Sequence, residues 1–149
     1  MRAVIQRVKS AQVIVNENII GSIGPGLLVL LGISREDNCE DADYLVDKTI
    51  NLRIFDDQYG KMNSSLLDVG GEMLIVSQFT LMADCRKGRR PSFTAAAEPA
   101  EAKNLYQYFI ERVKEKEIAV AVGEFQALME VGLINHGPVT ILMDSKKVF

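Results

Sequence analysis

The chain has 149 residues, 48% of them hydrophobic and 25% charged, and its 17 basic and 20 acidic side chains give a formal charge of −3. This length fits one domain with a single hydrophobic core, and the composition excludes an intrinsically disordered protein. The acidic balance argues against broad wrapping of nucleic acid, because proteins that follow a phosphate backbone usually carry a net basic surface, so any contact with RNA or DNA is expected to be local.

The first 33 residues predict β structure. Ala11, Val13 and Val15 alternate with more polar neighbours, and residues 16–18 supply turn residues before a second strand. After Gly24-Pro25-Gly26, the apolar run 27–31 has the pattern of a buried strand.

Two helices are expected to cover the sheet. Asp37 as the N-cap, with Glu40 three residues later, predicts a capping box at the start of the first helix. We interpret the acidic residues around it as a solvated helix start rather than a metal site. Its apolar face is formed by Ala42, Leu45, Val46 and Ile50. The second helix is predicted to have Pro99 at its first position. Its apolar face is formed by Ala102, Leu105, Tyr106, Phe109 and Val113.

Short strands are predicted elsewhere. Residues 54–81 include a hairpin tip at 56–60, a Gly70-Gly71 turn and a buried strand at 73–76. The tail predicts three more strands, at 118–122, 127–134 and 139–143. This order of elements predicts one α+β domain spanning residues 1–149, a largely antiparallel sheet or barrel with two covering helices.

The cysteines and the N-terminal segment favour a cytoplasmic protein. Cys39 and Cys85 are the only cysteines and have no metal-ligand spacing, which is typical of reduced thiols. The first residues lack the apolar stretch of a signal peptide, and the apolar run 27–33 is too short to span a bilayer. We therefore expect no membrane association.

The familiar catalytic motifs are absent. His136 is the only histidine, which excludes a multi-histidine metal site, and we interpret it as a loop residue rather than a general base. The sequence contains no nucleophile elbow, phosphate-binding loop or dinucleotide-binding glycine motif. No metal and no cofactor are expected.

Three local features remain. Ser77-Gln78-Phe79-Thr80-Leu81 follows a buried strand and either continues it or presents N–H groups and hydroxyls in a cleft, where they could form an oxyanion hole. Residues 135–140 contain a Gly137-Pro138 pair that normally marks a turn. Residues 86–90 carry four cations and form either a solvated loop or a local phosphate contact.

Together these segments resemble the D-aminoacyl-tRNA deacylase family, also called the D-tyrosyl-tRNA deacylase family. Residues 77–81 match its S-Q-F-T-L motif, and residues 135–140 match its N-x-G-P-x-T motif. Residues 87–93 resemble its basic loop before an R-P-S-F element, and the first eight residues are also typical of it. The resemblance spans essentially the whole chain, and His136 falls at a variable motif position.

The resemblance implies hydrolysis of the ester that joins a D-amino acid to the 3′ end of tRNA. Members also act on achiral glycyl-tRNA and reject L-aminoacyl-tRNA. The family is homodimeric, with each active site built at the interface.

Gly137-Pro138 would then be the family's Gly-cis-Pro pair, inserted into the partner's pocket beside residues 77–80. Asn135 and Thr140 of the same motif are expected to belong to this cross-subunit group that selects substrate chirality. Two neighbouring carbonyl oxygens could hold the substrate ammonium, so that an L side chain meets backbone while a D side chain points outward. Lys87, Arg89 and Arg90 are the expected tRNA contacts.

Two mechanisms are open for the ester hydrolysis that the resemblance implies. Thr80 resembles the hydroxyl proposed as nucleophile in the family, but a threonine nucleophile needs an activating base, and neither motif supplies one. In the alternative, which we favour, the neighbouring ribose 2′-OH of the tRNA activates water while N–H groups near Gln78 and Phe79 stabilise the oxyanion. Ser77 would complete this catalytic segment.

Two other functions are possible from the sequence. A non-catalytic RNA-binding module would use residues 86–90 and retain RNA without cleaving the ester. A general esterase would act on esters that lack tRNA.

Overall fold

The computed structural model describes all 149 residues and is built around one six-stranded mixed sheet. The strands of this sheet are β1 (Arg2–Val15), β2 (Asn18–Ile23), β3 (Gly26–Gly32), β6 (Glu72–Ser77), β7 (Val120–Val122) and β8 (Glu130–Asp144). Five of them lie in the order β2-β1-β3-β6-β7, and β8 pairs with β1 along the edge opposite to the one that pairs with β2 and β3. A separate hairpin is formed by β4 (Phe55–Asp56) and β5 (Met62–Ser64). The helices are α1 (Cys39–Asn51), α2 (Leu66–Val69) and α3 (Pro99–Lys114), with a 3₁₀ turn at Phe79–Met82.

The predicted β structure before residue 33 is confirmed. Strands β1 and β2 form a hairpin, and its turn holds Asn16 and Glu17 at positive φ values of 47° and 65°. Asparagine tolerates this left-handed region better than most residues, which is why the turn could be recognised from the sequence.

The sheet is less antiparallel than expected, although the barrel-like α+β prediction is confirmed. β6 pairs in parallel with both β3 and β7. A parallel strand covered on both faces is apolar throughout, and residues 73–76 of β6 are indeed all buried. The connection from β3 to β6 passes through α1, which packs on the sheet beside α3.

The two long helices cover one face of the sheet. Pro99 is the first residue of α3, as predicted. The capping prediction for α1 was wrong by one residue, because Asn38 is the N-cap and Asp41 closes the capping box. Asp37 instead accepts hydrogen bonds from the Met1 amino group at 2.5 Å and from the Ser34 N–H at 2.6 Å. These contacts engage its carboxylate outside the helix. The short helix α2 was not predicted.

The prediction of separate strands at 127–134 and 139–143 was also wrong. They form one strand, β8, that runs antiparallel to β1. Gln6 pairs with Thr140 and Val8 pairs with Asn135, so two residues of advance on β1 correspond to five on β8. The extra residues form a wide bulge that accommodates a proline without an N–H group, so no chain reversal is required.

Two clusters of buried side chains form the core. The larger lies between the sheet and the helices and contains Leu45, Phe109 and the Met1 side chain. In it the Tyr106 hydroxyl donates to the Ile75 carbonyl at 2.7 Å, and burial raises the pKa of Tyr106. The smaller cluster packs β1, β2, β3 and β6 together. None of the helices has the length and apolar character needed to cross a bilayer.

Candidate active site

A cleft of about 630 Å³ opens where β6 ends. Its walls come from the ends of β3 and β6, the start of α3, and the segment leading into β8. Twelve of its 17 lining residues are hydrophobic. Ser77, Gln78 and Phe79 lie in this wall, so three residues of the first motif share a largely apolar cleft.

The chain leaves the sheet at Gln78. The Gln78 N–H donates to the Leu31 carbonyl at 2.8 Å, and the next residues form the 3₁₀ turn. Gly32 permits this close approach, because a Cβ there would lie 2.8 Å from the Leu81 Cβ. The alternative that residues 77–81 simply continue the strand is therefore wrong beyond Ser77.

Thr80 lies in this turn and is exposed. Its hydroxyl oxygen accepts a hydrogen bond from the side-chain amide of Gln78. Thr80 is not among the residues that line the cleft, whereas Gln78 is. The Thr80 hydroxyl is therefore linked to the cleft wall by the side-chain amide of Gln78. This amide N–H donates to the hydroxyl and cannot accept its proton.

The aromatic pair Phe79 and Phe93 forms one rim of the cleft. Their rings meet edge to face, with centroids 5.1 Å apart, and Phe79 is 58% exposed. The segment that carries Phe93 is tied to the end of β3 by hydrogen bonds from Arg35 N–H to Ala95 O and from Ala97 N–H to Ile33 O. This pairing makes residues 93–97 a firm wall of the cleft.

The cleft holds little titratable chemistry. Glu98 is its only ionisable side chain, and it is exposed. His136 does not line the cleft. No group of three or more His, Cys, Asp and Glu side chains in the structure is arranged to hold a metal ion.

Residues 135–140 form a second, separate group on the bulge of β8. The Gly137–Pro138 peptide bond is cis, as the family resemblance implied. The Asn135 side chain spans the bulge, since its Oδ1 accepts from the Val139 N–H at 2.8 Å and its Nδ2 donates to Val139 O at 3.1 Å. The Thr140 hydroxyl accepts from Asn135 Nδ2 at 3.3 Å. The structure thus brings the four motif residues together but not into the cleft of the same chain.

Arg7 supports this bulge from behind, and the sequence reasoning missed it. Its Nε donates to His136 O at 2.8 Å and one terminal nitrogen donates to Ile54 O at 2.6 Å, while its side chain is only 7% exposed. Gly137 has φ +140°, and a Cβ there would lie 3.0 Å from the Arg7 guanidinium. Glycine at 137 and arginine at 7 therefore form one packing unit. An arginine inside an alternating β pattern was the available signal.

The basic residues form the tip of an exposed loop. Hydrogen bonds between Asp84 and Ser92 close its base, with Asp84 N–H to Ser92 O at 2.8 Å. The Arg86 guanidinium donates hydrogen bonds to both carboxylate oxygens of Asp84, at 2.8 and 2.6 Å. These bonds hold the pKa of the Asp84 carboxyl well below its usual range. Lys87, Arg89 and Arg90 are exposed and form no ion pair. The cations of the tip are therefore free to meet an external anion.

Comparisons with known proteins agree on one family. Residues 4–144 match the family profile described as D-Tyr-tRNA(Tyr) deacylase. A D-aminoacyl-tRNA deacylase of Thermosipho melanesiensis is 63% identical, and one of Clostridioides difficile is 58% identical; each alignment covers 100% of both chains.

Solved structures show the same fold. The c-Myc DNA unwinding element binding protein superposes with a TM-score of 0.91 and 41% identity over 97% of this chain and 98% of that one. A structure described as a probable eukaryotic D-amino acid tRNA deacylase gives a TM-score of 0.82 at 18% identity, over 95% of this chain and 97% of that one. The latter likeness concerns the fold alone.

Proposed function

The chain belongs to the D-Tyr-tRNA(Tyr) deacylase family, and on that premise we propose that it hydrolyses the ester of D-aminoacyl-tRNA, releasing free tRNA and the D-amino acid. One structural observation carries the proposal. The cleft at the end of β6 has an apolar wall for an aminoacyl group. It also contains Ser77, Gln78 and Phe79, at the point where the chain leaves the sheet and its backbone N–H groups are no longer part of the ladder.

The oxyanion is stabilised by the N–H groups of Phe79 and Thr80. The Gln78 N–H is already bonded to Leu31, and the first hydrogen bond within the turn runs from Leu81 N–H to Gln78 O. No side chain caps this turn. The N–H groups of Phe79 and Thr80 lie between these two donors. They have no acceptor within the turn, as is usual for the first N–H groups of a helix, and can bind a developing negative charge.

The tRNA supplies the group that activates water. Thr80 as nucleophile needs a base that accepts its proton, but its neighbour Gln78 donates to it, and Glu98 is the only ionisable side chain of the cleft. The ribose 2′-OH next to the ester lies within reach of the reacting carbonyl in every aminoacyl-tRNA. Positioning of this hydroxyl accounts for catalysis without a protein nucleophile.

A second copy of the chain completes each site. β8 pairs only with β1, which leaves its other edge without a neighbour in the sheet. Ile134 and Leu142 on this strand are 58% and 60% exposed, and Leu128 just before it is 93% exposed. Exposed apolar side chains along an open strand edge are typical of a protein interface, and a homodimer is the simplest symmetric solution.

The partner's bulge then provides chiral selection. Gly137 and Pro138 are exposed and lie outside their own chain's cleft, so they are available to enter the cleft of the partner. Backbone carbonyls of the bulge would hold the substrate ammonium, and an L side chain would meet the backbone. Glycyl-tRNA, which has no side chain, would also be hydrolysed.

The deciding experiment compares D-tyrosyl-tRNA with L-tyrosyl-tRNA. We expect the purified protein to deacylate the D ester and to spare the L ester, with glycyl-tRNA also cleaved. Retention of RNA without ester cleavage would identify a binding module, and equal cleavage of simple esters without tRNA would identify a general esterase. Either result would refute the proposal.

A further inference from the structure

A second cleft, of about 900 Å³, lies on the other side of the segment that walls the candidate active site. Phe79 and Phe93 face the first cleft, whereas Met82 and Thr94, a few residues along the same two segments, line the second. The two clefts are therefore neighbours that share a wall formed by residues 79–97.

The second cleft carries four cations in a protein whose net charge is negative. They are Arg2, Arg35, Arg86 and Lys146. Its carboxylates are Glu36, Asp84 and Asp144. Asp144 and Asp84 are engaged by Arg2 at 2.9 Å and by Arg86 at 2.6 Å, respectively.

The positions of these cations are set by the fold. The Arg2 guanidinium also donates to Leu81 O at 2.9 Å, which links the cleft to the 3₁₀ turn of the candidate active site. Lys146 is held by Asp41 at 2.8 Å. Arg35 is exposed and forms no ion pair, while its backbone N–H is bonded to Ala95. Arg35 is thus a cation on a fixed backbone, available to an external anion.

We propose that this cationic cleft binds phosphates of the RNA strand that leads to the aminoacylated 3′ end. The inference rests on the proposed function, because it assumes that the strand ends in the neighbouring cleft. The exposed cations at 87–90 extend the same path, since Arg86, which directly precedes them in the loop, lines the cleft. A local track of this kind reconciles RNA binding with a net charge of −3.

The test uses an RNA hairpin that has a single-stranded CCA end and carries no amino acid. Its binding is measured by fluorescence anisotropy at several salt concentrations. Arg35→Ala is expected to raise the Kd about two- to fivefold, as for loss of one exposed charge contact. The slope of log Kd against log salt should fall by about 0.7, the value for one phosphate contact on a single strand. Arg35→Lys should retain the slope, because it keeps the charge.

Two further variants make the test specific. Glu36→Gln removes a repelling carboxylate from the same cleft and should lower the Kd. Lys116→Ala, which removes an exposed and unpaired cation beyond the far end of α3, should leave the Kd unchanged. The assignment is overturned if Arg35→Ala behaves like Lys116→Ala, if Glu36→Gln weakens binding, or if a blunt hairpin without the CCA end binds equally well.

Turnover of D-tyrosyl-tRNA by the wild-type protein is measured in parallel. Absence of turnover refutes the proposed function, whereas absence of Arg35-dependent RNA binding refutes the cationic cleft. The two failures are therefore distinguishable.

Discussion

Replacement of Arg7 by methionine should destabilise the protein and disorganise the bulge of β8. The substitution keeps most of the side-chain volume but removes a buried guanidinium that donates to His136 O and Ile54 O at 2.8 and 2.6 Å. Hydrogen bonds from charged groups contribute about 1.5–3 kcal/mol each, and loss of the charge also removes its desolvation cost. We therefore expect the free energy of unfolding to fall by about 2–4 kcal/mol. For a chain of this length that corresponds to about 4–16 °C in Tm.

Urea denaturation of the Arg7→Met protein measures this loss. Arg53→Met is the matched control, because Arg53 also donates to a backbone carbonyl, Asn63 O at 3.0 Å, but is exposed. It should cost no more than about 0.5 kcal/mol. Below the unfolding transition, Arg7→Met should also slow deacylation of D-tyrosyl-tRNA, because His136 O anchors the bulge proposed to select the substrate. Equal stability losses in the two variants would refute the assignment of Arg7 as the support of the bulge.

Three further predictions concern catalysis, assembly and pH. Thr80→Ala should slow deacylation about fivefold, the value of one lost hydrogen bond, whereas complete loss in a folded protein that still binds tRNA would favour the nucleophile mechanism; a tRNA lacking the terminal 2′-OH should remain largely uncleaved. Ile134→Glu should convert a dimer into an inactive monomer in sedimentation experiments, and Leu67→Glu, at an exposed apolar position on α2, should not; an unchanged dimer in Ile134→Glu would argue against β8 as the interface. Burial raises the pKa of Asp41, but the hydrogen bonds that its carboxylate accepts, led by that from Lys146, lower the pKa by more than burial raises it. The pKa of Asp41 is therefore below its usual value. The stability from this carboxylate is present above about pH 4 and is lost as the pH falls below that value. Asp41→Asn should therefore flatten the acid limb of a stability profile, and an unchanged limb would contradict this.

Most secondary structure could be predicted from local patterns. The β1–β2 hairpin, the buried strand β6 and the start of α3 at Pro99 depend on alternation, an unbroken apolar run and a fixed proline φ, which act within a few residues. The cap of α1 was misassigned because Asp37 and Asn38 are both good caps. Only the tertiary structure supplies the Met1 amino group that engages Asp37.

The strand β8 shows a different limit. Gly-Pro between two apolar runs normally marks a turn, and the sequence contains no signal that β1 is long enough to pair on both sides of it. Once β1 provides that template, a bulge absorbs the proline and the strand continues. The partners of Arg7 were hidden for the same reason: an arginine inside an alternating β pattern marks the position as unusual, but its acceptors at residues 54 and 136 are remote in sequence.

The sequence alone determined the two motifs, the family they resemble, the acidic balance and the run of cations at 86–90, because these are properties of residue type and order. Tertiary structure decided the rest. It turned residues 78–82 out of the sheet beside an apolar cleft, joined residues 135–140 through the Asn135 amide, and kept these two groups apart within one chain. It also gathered Arg2, Arg35, Arg86 and Lys146 around a neighbouring cleft. Contacts between residues far apart in the chain depend on how strands pair and cross, and local pattern does not encode them.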